Sequence, residues 1–220
     1  MALVVGNKTI AVGSLPWPAT SVTFSHNQNA GDDKYLIISF TMQNTVNFSG
    51  CTYDGIAMTL IDSNEFSGLS QRWACYGIAP TTSGAKNVVL SFGGSPQWGP
   101  VSYFACSFLG SSGIGNTGVN GRSSTPNSQT LTVSEGSAIF ATGISNNAFT
   151  GIDIDGSARP LEFQHNTNKQ VSGALSLIPL SAGSIAVDTK VTFSNVTNAR
   201  IEILAGGAPP STNSNFLVMF

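Results

Sequence analysis

The chain has 220 residues, only 9 % of them charged, and a formal net charge of −2 at pH 7; an ordinary soluble domain carries roughly 25 %. Its nine Lys and Arg are scattered singly, so no patch can neutralise a phosphate backbone and nucleic acid is excluded as a partner. Polarity comes from Ser, Thr and Asn, 67 residues together, which leaves few groups for acid–base catalysis.

Residues 1–19 read as an N-terminal arm and first strand. The opening MALVVGNKTIAVG has no basic region before its short apolar stretch, so it is not a secretory signal. Synthesis in a cytoplasm is expected, with Cys51, Cys75 and Cys106 as reduced structural thiols. No apolar run approaches the ~20 residues that span a bilayer, so no membrane partner is expected.

From residue 20 onward the dominant period is two, the period of a strand. Strands are expected at 20–25, 35–42, 56–61, 72–78, 87–92 and 102–108. In these, Leu36, Ile38, Phe40 and Met42 share a face, as do Ile56, Met58 and Leu60, and Phe104, Cys106 and Phe108. A single helical turn has room near 62–69. Residues 111–129, almost without apolar side chains, read as a long loop. Strands resume at 130–133, 137–144, 171–178, 185–193 and 200–204. Turn clusters every 8–12 residues or so are the rhythm of sandwiches and barrels. The fold expected is all-β: one antiparallel, jelly-roll-like sandwich over 20–205, with extended terminal arms. SVTFS at 21–25 and KVTFS at 190–194 look alike, and one shared pentapeptide reads as two strands of similar burial, not as a duplication. Residues 206–220 form a Gly/Pro/Ser linker and an apolar end, Phe216, Leu217, Val218, Met219 and Phe220. An apolar end should dock, on its own sheet or on a neighbour's.

Few residues suggest chemistry. GIGNTG at 113–118 matches a dinucleotide fingerprint formally, but a loop sequence follows where the fingerprint needs a helix. Asp153 and Asp155 are weak metal candidates; their spacing suits calcium, yet the rest of a calcium loop is missing. Asp32 and Asp33 read as a solvated acidic loop. His26 continues the inward face of Val22 and Phe24, as a strand-end histidine with a local partner, and His165 sits near a polar turn. No G-x-S-x-G elbow is present, and the cysteine spacing does not suit zinc. No catalytic residue and no cofactor is expected. Trp17 and Trp98, flanked by prolines in loops, could stack on sugar rings or merely cover the sandwich ends.

One longer pattern is more specific. SVTFSH, YLIISF, CTYDGIAMTLID, RWACYGIAPTTSGAKNVVLSF and VSYFACSFLG, over 21–110, resemble β-sandwich, jelly-roll-like accessory virion proteins of tailed bacteriophages, of the capsid cement or decoration type. The matching motifs are structural. The resemblance implies a non-enzymatic virion protein, made in the host cytoplasm, that stabilises the head as a homo-oligomer, with a trimer as one option. Its partners would be further copies and the major capsid protein or another virion protein. Contact is expected through Ala2, Leu3, Val4 and Val5 and through Phe216–Phe220. The alternative is a tail or fibre module binding a host glycan through Trp17, Trp98 and the loop expected at 111–129.

Overall fold

The computed structural model describes residues 2–15, 19–43, 47–66, 71–93, 99–123, 127–145, 149–161, 163–165, 170–175, 180–191 and 196–207. The described chain is all-β, and no helix occurs in it. Its first half runs β1 (Val4–Leu15), β2 (Ser21–Gln28), β3 (Tyr35–Gln43), β4 (Asn47–Tyr53), β5 (Ile56–Ala57), β6 (Thr59–Phe66), β7 (Gln71–Ile78), β8 (Gly84–Gly93) and β9 (Gly99–Leu109). The second half runs β10 (Ser111–Ser123), β11 (Asn127–Val133), β12 (Ala138–Ser145), β13 (Phe149–Ile154), β14 (Ser157–Arg159), β15 (Phe163–His165), β16 (Gln170–Leu175), β17 (Gly183–Val191) and β18 (Val196–Ala205).

Each half builds two antiparallel sheets. Sheet A has the order β1-β9-β3-β7-β6 and sheet B the order β2-β8-β4-β5. Sheet C is β10-β18-β12-β16-β15 and sheet D is β11-β17-β13-β14. Every strand of the second half occupies the place of the strand nine positions earlier in the first. A sheet with order 1-9-3-7 facing one with order 2-8-4-5 is jelly-roll connectivity. The expected jelly-roll sandwich is present, and the chain builds it twice. The single sandwich expected over 20–205 is therefore corrected to two.

Three cores set the layer order B, A, C, D. Leu36, Ile38, Phe40 and Met42 of β3 meet Val88, Leu90 and Phe92 of β8 between sheets A and B. Ile139 and Ala141 meet Ile152, Ile154 and Val187 between sheets C and D. Between the two sandwiches, Ile37, Trp73, Phe104 and Phe108 of sheet A pack on Phe140, Ile201 and Ile203 of sheet C. Sheet A is thus buried on both faces. This is why β3 reads as a continuous apolar run, the signature of a strand without a solvent face.

The first strand expected in residues 1–19 is β1, since Val4–Leu15 pairs with β9 as an edge strand of sheet A. Three local expectations change. Of residues 62–69, where a helical turn had room, 62–66 belong to β6 and 67–69 lie outside the described residues. The shared face of Ile56, Met58 and Leu60 is broken: Met58 is buried while Ile56 and Leu60 are half exposed, because the chain leaves one strand at Ala57 and bulges after Leu60. The loop expected at 111–129 is strand over 111–123. Its glycines serve side chains of the neighbouring β18. A Cβ on Gly115 would strike the Glu202 carboxylate, and one on Gly118 would lie 2.8 Å from the Arg200 guanidinium.

Candidate functional site

Four places gather polar or titratable side chains: a buried histidine chain, a buried carboxylate, an acidic patch and a groove.

His26 lies on the inward face of β2, fully buried between sheets A and B. Thr9 Oγ1 is 2.8 Å from its Nδ1, and its Nε2 is 2.7 Å from Ser107 Oγ. Ser107 Oγ in turn donates to Gln28 Oε1 at 2.9 Å. One proton arrangement satisfies the chain: Thr9 donates to Nδ1, and Nε2–H donates to Ser107. Burial pushes His26 down to a pKa of about 4, so the ring is neutral. A serine that accepts from histidine and donates to glutamine is not a nucleophile poised by a base. The chain braces β1, β2 and β9. The local partner expected for His26 is therefore a network, whose members Thr9, Gln28 and Ser107 carry no motif that would mark them in the sequence.

The second half hides a charge instead. Glu202, 1 % exposed, accepts from Ser134 N at 2.5 Å, from Asn116 N at 2.9 Å and from Ser137 Oγ at 2.9 Å. Burial alone would raise its pKa, but these hydrogen bonds outweigh it and hold the carboxyl below its ordinary value. Arg200, also buried, donates through Nε to Thr130 O and through Nη1 to Asn198 Oδ1. Glu202 ties β18 to β10 and to the turn after β11, and Arg200 ties it to β11.

The metal candidates Asp153 and Asp155 differ in setting. Asp153 lies in β13, held at 2.5 Å by Lys190 Nζ, directly opposite Asp188 of β17. Asp155 is a turn residue with φ 55°. Among the described residues no three His, Cys, Asp or Glu side chains converge as a metal site. Asp32 and Asp33 present backbone as well as charge: their carbonyls accept from Gly110 N and Ser111 N, where the first half passes into the second. Cys51, Cys75 and Cys106 are free and buried. Burial pushes the Cys51 thiol up to about 12 and that of Cys75 well above the ordinary range, so neither is a ready nucleophile.

A groove of about 300 Å³ opens between β4 and the β6–β7 edge of the first half. Its lining includes Asn47, Phe48, Leu60, Asn64, Arg72 and Tyr76, and Arg72 Nη1 donates to Asn47 Oδ1 across it. No spacing rule joins these residues, because they come from three strands.

Of the expected contact residues, Leu3 and Val5 pack against the core between the sandwiches, while Val4 is 52 % exposed. Val4 and Val5 pair with Leu109 and Phe108 of their own chain. Further along β1, Asn7 N donates to Asn29 Oδ1 and Asn7 Nδ2 to Asn27 O. Val4 and Val5 are thus paired on one side with their own chain and lie on the edge strand of sheet A. Trp17, Trp98 and Phe216–Phe220 lie outside the described residues. His165 falls at the end of β15.

Comparison with protein-family models, with curated proteins and with solved structures found no match.

Proposed function

We propose that the protein is a structural virion component of a tailed phage, a head decoration or cement protein that works by adhesion and without chemistry. The outward face of sheet B carries the reading. Ser21, Thr23, Ser25 and Asn27 point out from β2, and Asn87 and Ser91 from β8, with no charged side chain in either row. Such a face loses little to salt screening and avoids the cost of desolvating ions. It suits a body packed among repeated copies and coat subunits. The resemblance over 21–110 supports the same context. In this reading the apolar end at 216–220 adds to a sheet edge of a neighbour, and many weak contacts add by avidity.

The test is deletion of 211–220. Light scattering should show a smaller assembly, and sedimentation with expanded capsids should show weaker docking. Unchanged mass together with unchanged docking would overturn the reading.

A second reading, recognition of a glycan, is favoured by the groove, where the rings of Phe48, Trp73 and Tyr76 and two neutral amides stand beside one guanidinium. Saturation-transfer NMR against a glycan panel tests it: signals should appear and disappear with Asn64→Ala. A panel without any signal removes this reading.

A further inference from the structure

The two halves share details that strand order alone does not require. The hairpin F-S-G-C-T-Y-D-G-I-A-M-T-L at 48–60 aligns with F-T-G-I-D-I-D-G-S-A-R-P-L at 149–161, identical at six of thirteen positions. Both hairpins turn through an Asp-Gly pair in the left-handed region, with φ 52° and 78° at Asp54 and Gly55 and 55° and 69° at Asp155 and Gly156. That is the two-residue turn which matches the twist of paired strands. Asp54 N donates to Asn87 O at 2.9 Å, and Asp155 N to Ala186 O at 2.8 Å. The register slips at the same place, between Phe48 and Gly50 and between Phe149 and Gly151. Bulges are specific features of a fold, and a shared one marks a shared origin.

The surface between the halves is built from the same positions on both sides. In sheet A, Ile37 pairs with Cys106 and Ser39 with Phe104; in sheet C, Ala138 pairs with Ile203 and Phe140 with Ile201. Phe104 stacks on Phe140 with centroids 5.2 Å apart and planes 12° apart. A large ring on one unit thus meets a large ring at a different position of the other, and the counterparts are the smaller Ile201 and Ser39. The glycines that follow the last strand of each half also meet, Gly206 N donating to Gly110 O at 2.6 Å. Contact of position i with j across matching surfaces is how two copies of one unit associate.

We infer that this chain is a fused pseudo-dimer: two copies of one nine-stranded unit, whose five-stranded sheet bears a self-association surface that fits a second copy of the unit. This goes beyond the proposed function and does not rest on it. Fusion has a consequence for binding. Sheets B and D are equivalent faces at the two ends of the stack, yet they differ. Register places Asp153, Asp188 and Lys190 of sheet D where sheet B has Thr52, Val89 and Ser91. A dimer of identical chains must present identical ends, whereas the fused chain presents two different ones: sheet B carries the Lys86–Asp54 pair, and sheet D carries Asp153, Asp188 and Lys190.

The test inserts a protease site after Gly110 in the full chain and cuts the folded protein. The fragments should co-elute at the mass of the intact chain. Phe140→Ser, which copies Ser39, should weaken their pairing roughly thirtyfold or more, as loss of a central aromatic does, while the strand signal in circular dichroism persists. Fragments that separate freely as folded monomers, or a cut chain that unfolds outright, would overturn the inference. Native-state hydrogen exchange on the unaltered chain checks it without an insertion. Strands 4–109 and 111–205 should open as two cooperative units; one unit spanning both would count against it.

Discussion

The two jelly rolls solve the same packing problem with different side chains. Between sheets A and B the first half stacks rings: Phe24 lies on Tyr103 at 3.7 Å, and Phe40 meets Phe24 and Tyr76 edge-on. Register gives Phe40 the counterpart Ala141, and Tyr103 the counterpart Arg200. His26 and Gln28, buried and polar in the first half, stand where the second has Leu131 and Val133. Conversely Ala105 stands where the second half buries Glu202. One backbone therefore tolerates an aromatic core with a neutral polar chain, or an aliphatic core with a bound carboxylate. What persists is the geometry of turns and bulges, because these set register while core volume can be redistributed.

The sharpest way to break this comparison is at its aromatic centre. Phe40→Ala copies Ala141 into a site without compensating bulk, and should cost about 3–5 kcal/mol in urea unfolding. A cost below about 1 kcal/mol would mean that the first core does not depend on its rings.

The histidine chain comes next. With a folded pKa of about 4 against 6.5 for the free ring, the unfolded chain binds the proton first as pH falls. Stability from this group is full above pH 6.5 and declines towards pH 4, by about 3 kcal/mol in all. The triple variant His26→Leu, Gln28→Val, Ser107→Leu, which borrows the second half's residues, should remove that decline. Stability measured from pH 7 to pH 4 decides.

Glu202 behaves in the same direction, in a lower window. Its carboxyl is held below the ordinary value, so its contribution is present above pH 4.5 and is lost as pH falls through its folded pKa. Glu202→Gln should cost about 2 kcal/mol at neutral pH, the worth of charged hydrogen bonds, and should flatten the acid limb of the stability profile. An unchanged limb would remove the carboxylate from that role.

The smallest effect tests sameness, not difference. Gly55 and Gly156 both have open space where a Cβ would go, so Gly→Ala meets only the backbone penalty of positive φ. Each substitution should cost about 1 kcal/mol. Thermal melts that differ widely between the two variants would separate the turns.

Alternation made the strands at 35–42 and 102–108 legible, since Leu36, Ile38 and Phe40 do face one core while Phe104, Cys106 and Phe108 face another. Period two reveals two faces but not which one meets water. In A-R-I-E-I-L at 199–204 the polar face reads as solvent-facing, yet Arg200 and Glu202 are both buried. Their partners include the backbone of Asn116, Thr130 and Ser134, and they lie beside Gly115 and Gly118 of β10, which no spacing rule picks out; the scarcity of apolar side chains made β10 look like a loop. The repeat was hidden for a related reason. Its identities gather in one hairpin, whereas the pentapeptides that do look alike, at 21–25 and 190–194, hold different places in their units. The groove draws on β4, β6 and β7, so its residues become neighbours only when the sheets form.

The placement of β9 has a meaning for how the molecule is made. Sheet A closes when Gly99–Leu109 slots between β1 and β3, so the first jelly roll can complete on a ribosome that has yet to deliver the second. At ordinary elongation rates the remaining half takes on the order of ten seconds. Throughout that interval Trp73, Phe104 and Phe108 lack their cover from sheet C. The nascent chain then shows its stickiest face to other nascent chains bearing the same one, a hazard that the late arrival of Phe140 and Ile201 brings to an end.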